Sequence, residues 1–240
     1  LIEVQIVSEK PIQVGSDRQL FLDEFWFASQ NNVRLKMHPP VVREIALSAD
    51  QPWESGGVHY SSVLKDGDRY RMWYRADGVD PNKDMESSSC YAESSDGISW
   101  HRPKLGLFEA NGSMKNNLVW MGPGANMVPF RDPNPDVPDD ERYKAVARTR
   151  DLLALVSPDG VNWRLMQDEP ILTDGPFDSV NLAFWDVWRG EYVAYTRGVA
   201  GKGAFKGGVR WIRRTTSKDF REWTPLELID PGDTPFEHLY

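Results

Sequence analysis

Apolar and polar side chains alternate in short runs along most of this chain, and nowhere do they recur at the 3.6-residue spacing of an amphipathic helix. The clearest runs are Arg69-Tyr-Arg-Met-Trp-Tyr74, Arg142-Tyr-Lys-Ala-Val-Ala147 and Glu191-Tyr-Val-Ala-Tyr195. An apolar stretch precedes each, at 58–64, 127–130 and 180–188, and another follows, at 89–93, 152–156 and 209–214. A fourth stretch comes after these, around 104–108, 165–171 and 226–229. Turn-forming residues separate them, so the pattern predicts short strands in groups of four.

The same turn stands between the third and fourth strand of every group: Ser94-Ser-Asp96-Gly-Ile-Ser-Trp100, Ser157-Pro-Asp159-Gly-Val-Asn-Trp163 and Ser217-Lys-Asp219-Phe-Arg-Glu-Trp223. Ser and Asp side chains cap turn amides, Gly accepts a positive φ, and Trp tucks back between sheets. Because all three recur in the repeat, Asp96, Asp159 and Asp219 read as turn caps rather than catalytic acids. Four short strands per repeat describe a β-propeller blade, so the expected fold is all-β. The blades span roughly 50–110, 118–173 and 176–232, with strand fragments at 19–40 and 235–240. Propellers close with about 4–8 blades, and a three-blade ring would leave open edges. The expectation is one propeller domain over 1–240, incomplete at its C-terminal end. Further blades after Tyr240, or a second chain, would close the ring.

Composition narrows the partners. The 240 residues carry a net charge of −8, which argues against a nucleic-acid backbone as ligand. Ten Trp suit blade packing or a surface on which sugar rings stack. Cys90 is the single cysteine, which rules out an internal disulfide and a cysteine-based zinc cluster. No run of 18 apolar residues is present, and no membrane partner is expected. The chain opens on Leu1 without a signal-like stretch and reads as trimmed.

In a propeller the starts of the inner strands converge on one mouth. The first blade brings Trp53, Glu54, His59 and Tyr60 there. The second brings Asn126, with Arg131 and Asp132 further along, and the third brings Asp178 and Asn181. Glu237 and His238 would open the next blade, and Asp23 sits on the N-terminal strand. Two carboxylates across a cleft can divide glycoside cleavage between acid and base or nucleophile. That makes Asp178, Glu237, Glu54, Asp23 and Asp132 the catalytic candidates. His59, Tyr60, Asn126, Arg131, Asn181, Trp53 and His238 are the candidates for orienting sugar, with Trp53 as the stacking platform. Trp185 and Trp188 read as packing between blades. No metal or other cofactor is expected. Asp132-Pro-Asn134-Pro-Asp136 offers oxygens at alternate positions, but Val137 and Tyr143 stand where a calcium loop needs Gly and Glu, so a structural calcium at the axis has no motif behind it.

The blade pattern, the Asp turns, Arg131-Asp132-Pro133 and Phe177-Asp178-Ser179 resemble the five-bladed glycoside hydrolases of the invertase and arabinanase clan. The nearest resemblance is to bacterial members described only as similar to the invertase-type catalytic domain. This implies a five-bladed ring and a carbohydrate substrate; the expected setting is extracellular or periplasmic, with a cytoplasmic one left open. It also implies an Asp, an Asp and a Glu at inner-strand starts, acting as base or nucleophile, modulator and general acid. The invertase-type Asn-Asp-Pro-Asn-Gly and Glu-Cys motifs are absent: Asp23 stands in Phe21-Leu-Asp-Glu-Phe25, and Cys90 follows Ser89. Three functions stay open: a hydrolase of oligo- or polysaccharides, a non-catalytic propeller binding glycan or protein, and a glycoside phosphorylase with an Arg- or His-lined phosphate pocket.

Overall fold

A computed structural model describes residues 13–16, 19–21, 24–78, 87–200, 208–230 and 232. The chain divides into two compact units, Leu1–Glu44 and Ile45–Tyr240. No strand forms among the described residues of the first unit. Val33, Leu35 and Met37, expected on a strand within 19–40, are exposed and precede Pro39-Pro40. Phe21 and Phe27 stack with ring centroids 5.7 Å apart, and Trp26 Nε1 donates to the Leu20 carbonyl.

The second unit holds three four-stranded antiparallel sheets, each in sequential strand order. Blade 1 contains β1 (Gly57–Asp66), β2 (Arg69–Asp77), β3 (Ser87–Ser94) and β4 (Leu118–Trp120). Blade 2 contains β5 (Ala125–Arg131), β6 (Tyr143–Arg148), β7 (Leu152–Ser157) and β8 (Arg164–Leu165). Blade 3 contains β9 (Leu182–Asp186), β10 (Glu191–Ala200), β11 (Val209–Ser217) and β12 (Glu227–Leu228).

One strand differs from the sequence expectation. The fourth strand of blade 1 is Leu118–Trp120, not 104–108, so the blade runs past residue 110. Leu118, Val119 and Trp120 are all buried beside β3, where Cys90 faces Leu118. The 104–108 segment carries Gly106 at φ 70° and is tied instead to the run before β4, through Leu105 N to the Asn116 carbonyl at 2.8 Å. Asn116 holds this excursion by donating to the Phe108 and Ser113 carbonyls.

The Asp turns adopt the same geometry three times. In the first, Ser94 Oγ accepts from the Gly97 amide at 2.8 Å, and Asp96 Oδ1 accepts from the Ile98 and Ser99 amides, each at 2.8 Å. The second and third repeat it through Ser157 with Asp159 and Ser217 with Asp219. Amides and the Ser94 hydroxyl hold the Asp96 carboxyl at about 2. Burial pushes Asp159 and Asp219 up, and the same amide bonds outweigh it and leave both low. Gly97 and Gly160 take φ 76° and 77°, and Phe220 takes φ 67° at the third site.

Two of the three core clusters lie between blades, and the third packs Trp53 and Ala110 on Met72, Tyr74, Cys90 and Leu118 of blade 1. Trp73, Tyr91, Val119 and Trp120 of blade 1 pack on Met127, Tyr143, Ala145 and Leu155 of blade 2. Val146, Leu152, Ala154 and Val156 of blade 2 pack on Phe177, Ala183, Tyr192 and Phe220. Trp73 Nε1 also reaches the Gly160 carbonyl at 2.7 Å, so blade 1 grips the turn of blade 2. Trp185 packs edge-on against Tyr192 of its own blade and, partly buried, against the cluster shared by blades 2 and 3. Trp188 does not pack: it is exposed at the β9–β10 turn, which Asp186 caps through the Trp188 and Arg189 amides.

Polar latches reinforce both seams. Asp66 at the end of β1 pairs with Arg71 at 3.0 Å and accepts the Tyr143 hydroxyl of blade 2 at 2.5 Å. Asp132, just after β5, pairs with Lys144 at 2.9 Å and accepts the Tyr192 hydroxyl of blade 3 at 2.7 Å. Burial first, then the adjoining carboxylate, raises the pKa of each tyrosine above the ordinary phenol value.

Candidate functional site at the blade mouth

The mouth is set by hairpin geometry. Strands β1, β5 and β9 begin there, and their antiparallel neighbours return to it, pairing Gly57 with Asp77, Ala125 with Arg148 and Leu182 with Tyr195. Both β1 and β5 carry a register shift just inside the mouth, between His59 and Ser62 and between Ala125 and Val128. Within these bulges Tyr60 and Asn126 adopt φ 50° and 53°, a left-handed conformation uncommon for residues other than glycine. Bulges and left-handed backbone of this kind re-aim side chains and cluster at working sites.

Three expected site residues, His59, Tyr60 and Asn126, are linked at this rim, and two more, Asp178 and Asn181, stand before the first strand of blade 3. His59 Nε2 lies 3.7 Å from Asp77 Oδ2. Its ring lies over Gly57, whose φ is 115° and where a Cβ would come within 2.7 Å of Nε2. Tyr60 is exposed beside it, with the two rings 6.5 Å apart. Asn126 is buried and accepts from Arg75 Nη1 at 3.2 Å, while Arg75 Nε donates to Asp77 at 2.7 Å. In blade 3, Asp178 is ion-paired with Arg197, and Asn181 donates to the Phe177 and Ser179 carbonyls.

The others go elsewhere. Trp53 is buried, with its Nε1 on Asn117 Oδ1 at 2.9 Å, and offers no face for a sugar. Glu54 is fully buried in the one-turn 3₁₀ helix Pro52–Glu54. Its carboxylate accepts from the Tyr74 hydroxyl at 2.7 Å and from Arg102 Nε and Nη2 at 2.9 and 3.0 Å. Asn117 completes the network by donating to the Tyr74 oxygen and the Tyr91 carbonyl. Asp132 is enclosed in the blade 2–3 latch, and Arg131 pairs with Asp66 at 3.3 Å. Both lie at the far end of β5, roughly 20 Å from Asn126 at about 3.3 Å per residue. Asp23, Glu237 and His238 lie outside the described residues.

A cleft of about 620 Å³ opens between blades 2 and 3. Arg148, Arg150, Asp151, Asp174, Asp178 and Arg213 supply its charged lining, and Phe177 and Val199 its apolar wall. Arg213 donates to the Asp174 carbonyl. Among the described residues Arg148 Nε and Arg213 Nε in the cleft have no hydrogen-bond partner, nor do Ser179 Oγ and Asn181 Oδ1 in the segment that leads into β9. Buried polar atoms are nearly always paired in folded proteins, so these four have capacity left for a further polar partner such as water. Among the described residues no group of three His, Cys, Asp or Glu side chains is placed to hold a metal.

Reading only the run-ins to inner strands passes over the arginines. Yet their signal is in the repeat: Tyr70, Tyr143 and Tyr192 are each followed five residues later by Arg75, Arg148 and Arg197. Each lies on the second strand of its blade and is carried back to the rim by the hairpin.

No protein-family model matches this sequence, and no curated protein matches it. Solved structures are similar in strand arrangement at low identity. An N-acetylgalactosamine deacetylase from F. plautii, in complex with blood group B trisaccharide, matches at 14% identity and TM-score 0.49, over 70% of this chain and 51% of its own. A glycosyl hydrolase from Bacteroides ovatus matches at 15% and 0.49, over 75% and 54%. A structure from a family of mannoside phosphorylases that contains glycoside hydrolases targeting β-1,2 mannosidic linkages in Candida mannan matches at 20% and 0.46, over 73% and 52%. The chain spans about half the length of these structures. The fold assignment rests on the three sheets of the chain itself.

Proposed function

We propose that this chain acts on carbohydrate as a glycoside hydrolase, with the cleft between blades 2 and 3 as the sugar site. The observation that carries this reading is Asp178. Of the five expected catalytic carboxylates it is the one among the described residues that lines the cleft, with its side chain 57% exposed and oriented by Arg197. Its partner carboxylate would be Glu237, or Asp151 or Asp174 of the same cleft. Asn181, Asn126, His59 and Tyr60 would meet hydroxyl groups around the rim. The proposed ring has five blades, three of which are formed by the described sheets.

The test is turnover of a glycan panel by the wild-type chain and by Asp178→Asn. Removing a general acid or base costs on the order of 10²–10⁴-fold in rate. Turnover that survives Asp178→Asn unchanged would sink the assignment. A non-catalytic glycan-binding propeller is the second reading, and the burial of Glu54 and Asp132 in scaffold pairs favours it by removing two candidate carboxylates from the mouth. Saturable glycan binding without turnover in the wild-type chain would decide for it.

A further inference from the structure

The three repeated arginines at the mouth are not equivalent. Arg75 is paired with Asp77 and also donates to Asn126 across the blade 1–2 seam. Arg197 is paired with Asp178. The Arg148 side chain has no ion pair or hydrogen bond among the described residues, its buried Nε included. It projects from the face of β6 that also carries Lys144 and Val146, which pack toward blade 3, and it lines the cleft at that seam.

Arg213 lines the same cleft from blade 3, with no carboxylate in ion-pair reach among the described residues and with a second unpartnered Nε. Its alkyl stem crosses β10 over Gly198, where a Cβ would come within 2.6 Å of Arg213 Cγ. The strand therefore leaves room for this arginine to reach the cleft. Asn181, which leads into blade 3, has a buried and unpartnered Oδ1, so the Arg75–Asn126 bond that closes the first seam has no counterpart at the second. Three carboxylates, Asp151, Asp174 and Asp178, and a third arginine, Arg150, share the lining; among the described residues none of these carboxylates is in ion-pair reach of Arg148 or Arg213, and their combined negative charge disfavours a large polyanion and suits one compact acidic group.

We propose that Arg148 and Arg213 form an oxyanion site in this cleft, taking either the carboxylate of a uronic-acid sugar or free phosphate. The guanidinium fork is built for bidentate contact with such groups. The existence of the site stands on the cleft geometry. Only the identification of the carrier as a sugar rests on the carbohydrate reading above.

The experiment is calorimetric titration of the full chain at low ionic strength with D-galacturonate, D-glucuronate, inorganic phosphate, and neutral galactose and glucose. The wild-type chain should bind at least one anion saturably. Arg148→Gln should weaken that binding at least tenfold, and Arg148→Lys should fall between the two. Arg189→Gln, at an exposed turn, should change nothing. Urea midpoints of all variants identify loss through unfolding, in which case Arg148→Lys decides alone. A uronate bound at least tenfold more tightly than its neutral parent assigns the group to the glycan, and phosphate binding without uronate binding assigns it to free phosphate. Absence of saturable binding for every anion, or equal binding by folded Arg148→Gln, overturns the site. Turnover of neutral glycans with no anion binding would sink this inference and leave the hydrolase reading intact. An inactive chain that binds anion through Arg148 would do the reverse.

Discussion

Glu54→Gln separates a scaffold carboxylate from a catalytic one. The substitution keeps volume and one acceptor oxygen but removes the charge from a fully buried site. It would also turn an amide NH₂ toward Arg102 Nη2 or the Gln51 amide, both of which now donate to Oε2. Removing one partner of a buried pair costs about 3–5 kcal/mol. Here Arg102 keeps the Ser48 carbonyl, and its Nη1 lies 3.3 Å from Asp50, so part of the loss is recovered. The Tyr74 oxygen also keeps its bond from Asn117. A loss of about 2–4 kcal/mol remains once that recovery is allowed for. For a unit of this size it corresponds to a fall in Tm of roughly 5–15 °C. The assay is urea unfolding followed by Trp fluorescence, in which the midpoint should fall while the slope m is unchanged. An unchanged midpoint would refute the reasoning, and an unchanged midpoint with abolished glycan turnover would return Glu54 to the catalytic set.

Other outcomes follow from the same geometry. Tyr192→Phe strips the buried Asp132 carboxylate of one donor while Lys144 stays, and should lower stability by about 1–3 kcal/mol, read as a shift in urea midpoint. The turn carboxylates predict acid sensitivity. Their pKa values in the folded state lie below the unfolded value, so their contribution is fully present above the ordinary 3.8 and is lost as pH falls below it, toward about 2 for Asp96. Asp159→Asn should therefore be less stable than wild type at pH 6, with the gap narrowing as pH falls below 3.8, and a gap independent of pH would contradict this. Gly160→Ala should cost about 1–2 kcal/mol, because φ is 77° and the new Cβ would meet Arg71 and Trp73 at 3.0 Å. Phe220→Gly relieves a left-handed residue yet removes a buried ring packed on Phe130, Tyr192 and Trp223, for a net loss of about 2–4 kcal/mol by urea unfolding.

Much of the fold was legible because a repeat constrains itself. Three Ser-x-Asp turns could occupy the same place only if three sheets shared one topology, and they do. The misplaced fourth strand of blade 1 has a local cause. The segment 104–108 is apolar enough to pass for a strand, but the two-asparagine run Asn116-Asn117 before Leu118 fixes where pairing with β3 resumes. No local pattern announces that an excursion will be bridged in this way. The 19–40 fragment shows the complementary failure, since alternating apolar residues such as Val33, Leu35 and Met37 make a strand only where an edge is available to pair with.

The site was less legible, because a carboxylate in a run-in looks the same in sequence whether its oxygens meet a substrate or a buried cation. What distinguishes the two is the partner, and in this chain the partners sit at fixed places in the repeat. Arg71 and Lys144 follow the strand tyrosine by one residue and hold Asp66 and Asp132 in the latches. Arg75 and Arg148 follow it by five, which places them on the same face of the strand about 13 Å further along, at the mouth. One face of a single strand thus carries a structural cation at one end and a rim cation at the other. Blade 3 has Val193 at the first position and Arg197 at the second, and its Asp186 turns to Arg189 instead of a latch. The two positions therefore vary independently. The loss of the latch cation in blade 3, with the rim arginine kept, is what a division between holding blades together and meeting a ligand would produce.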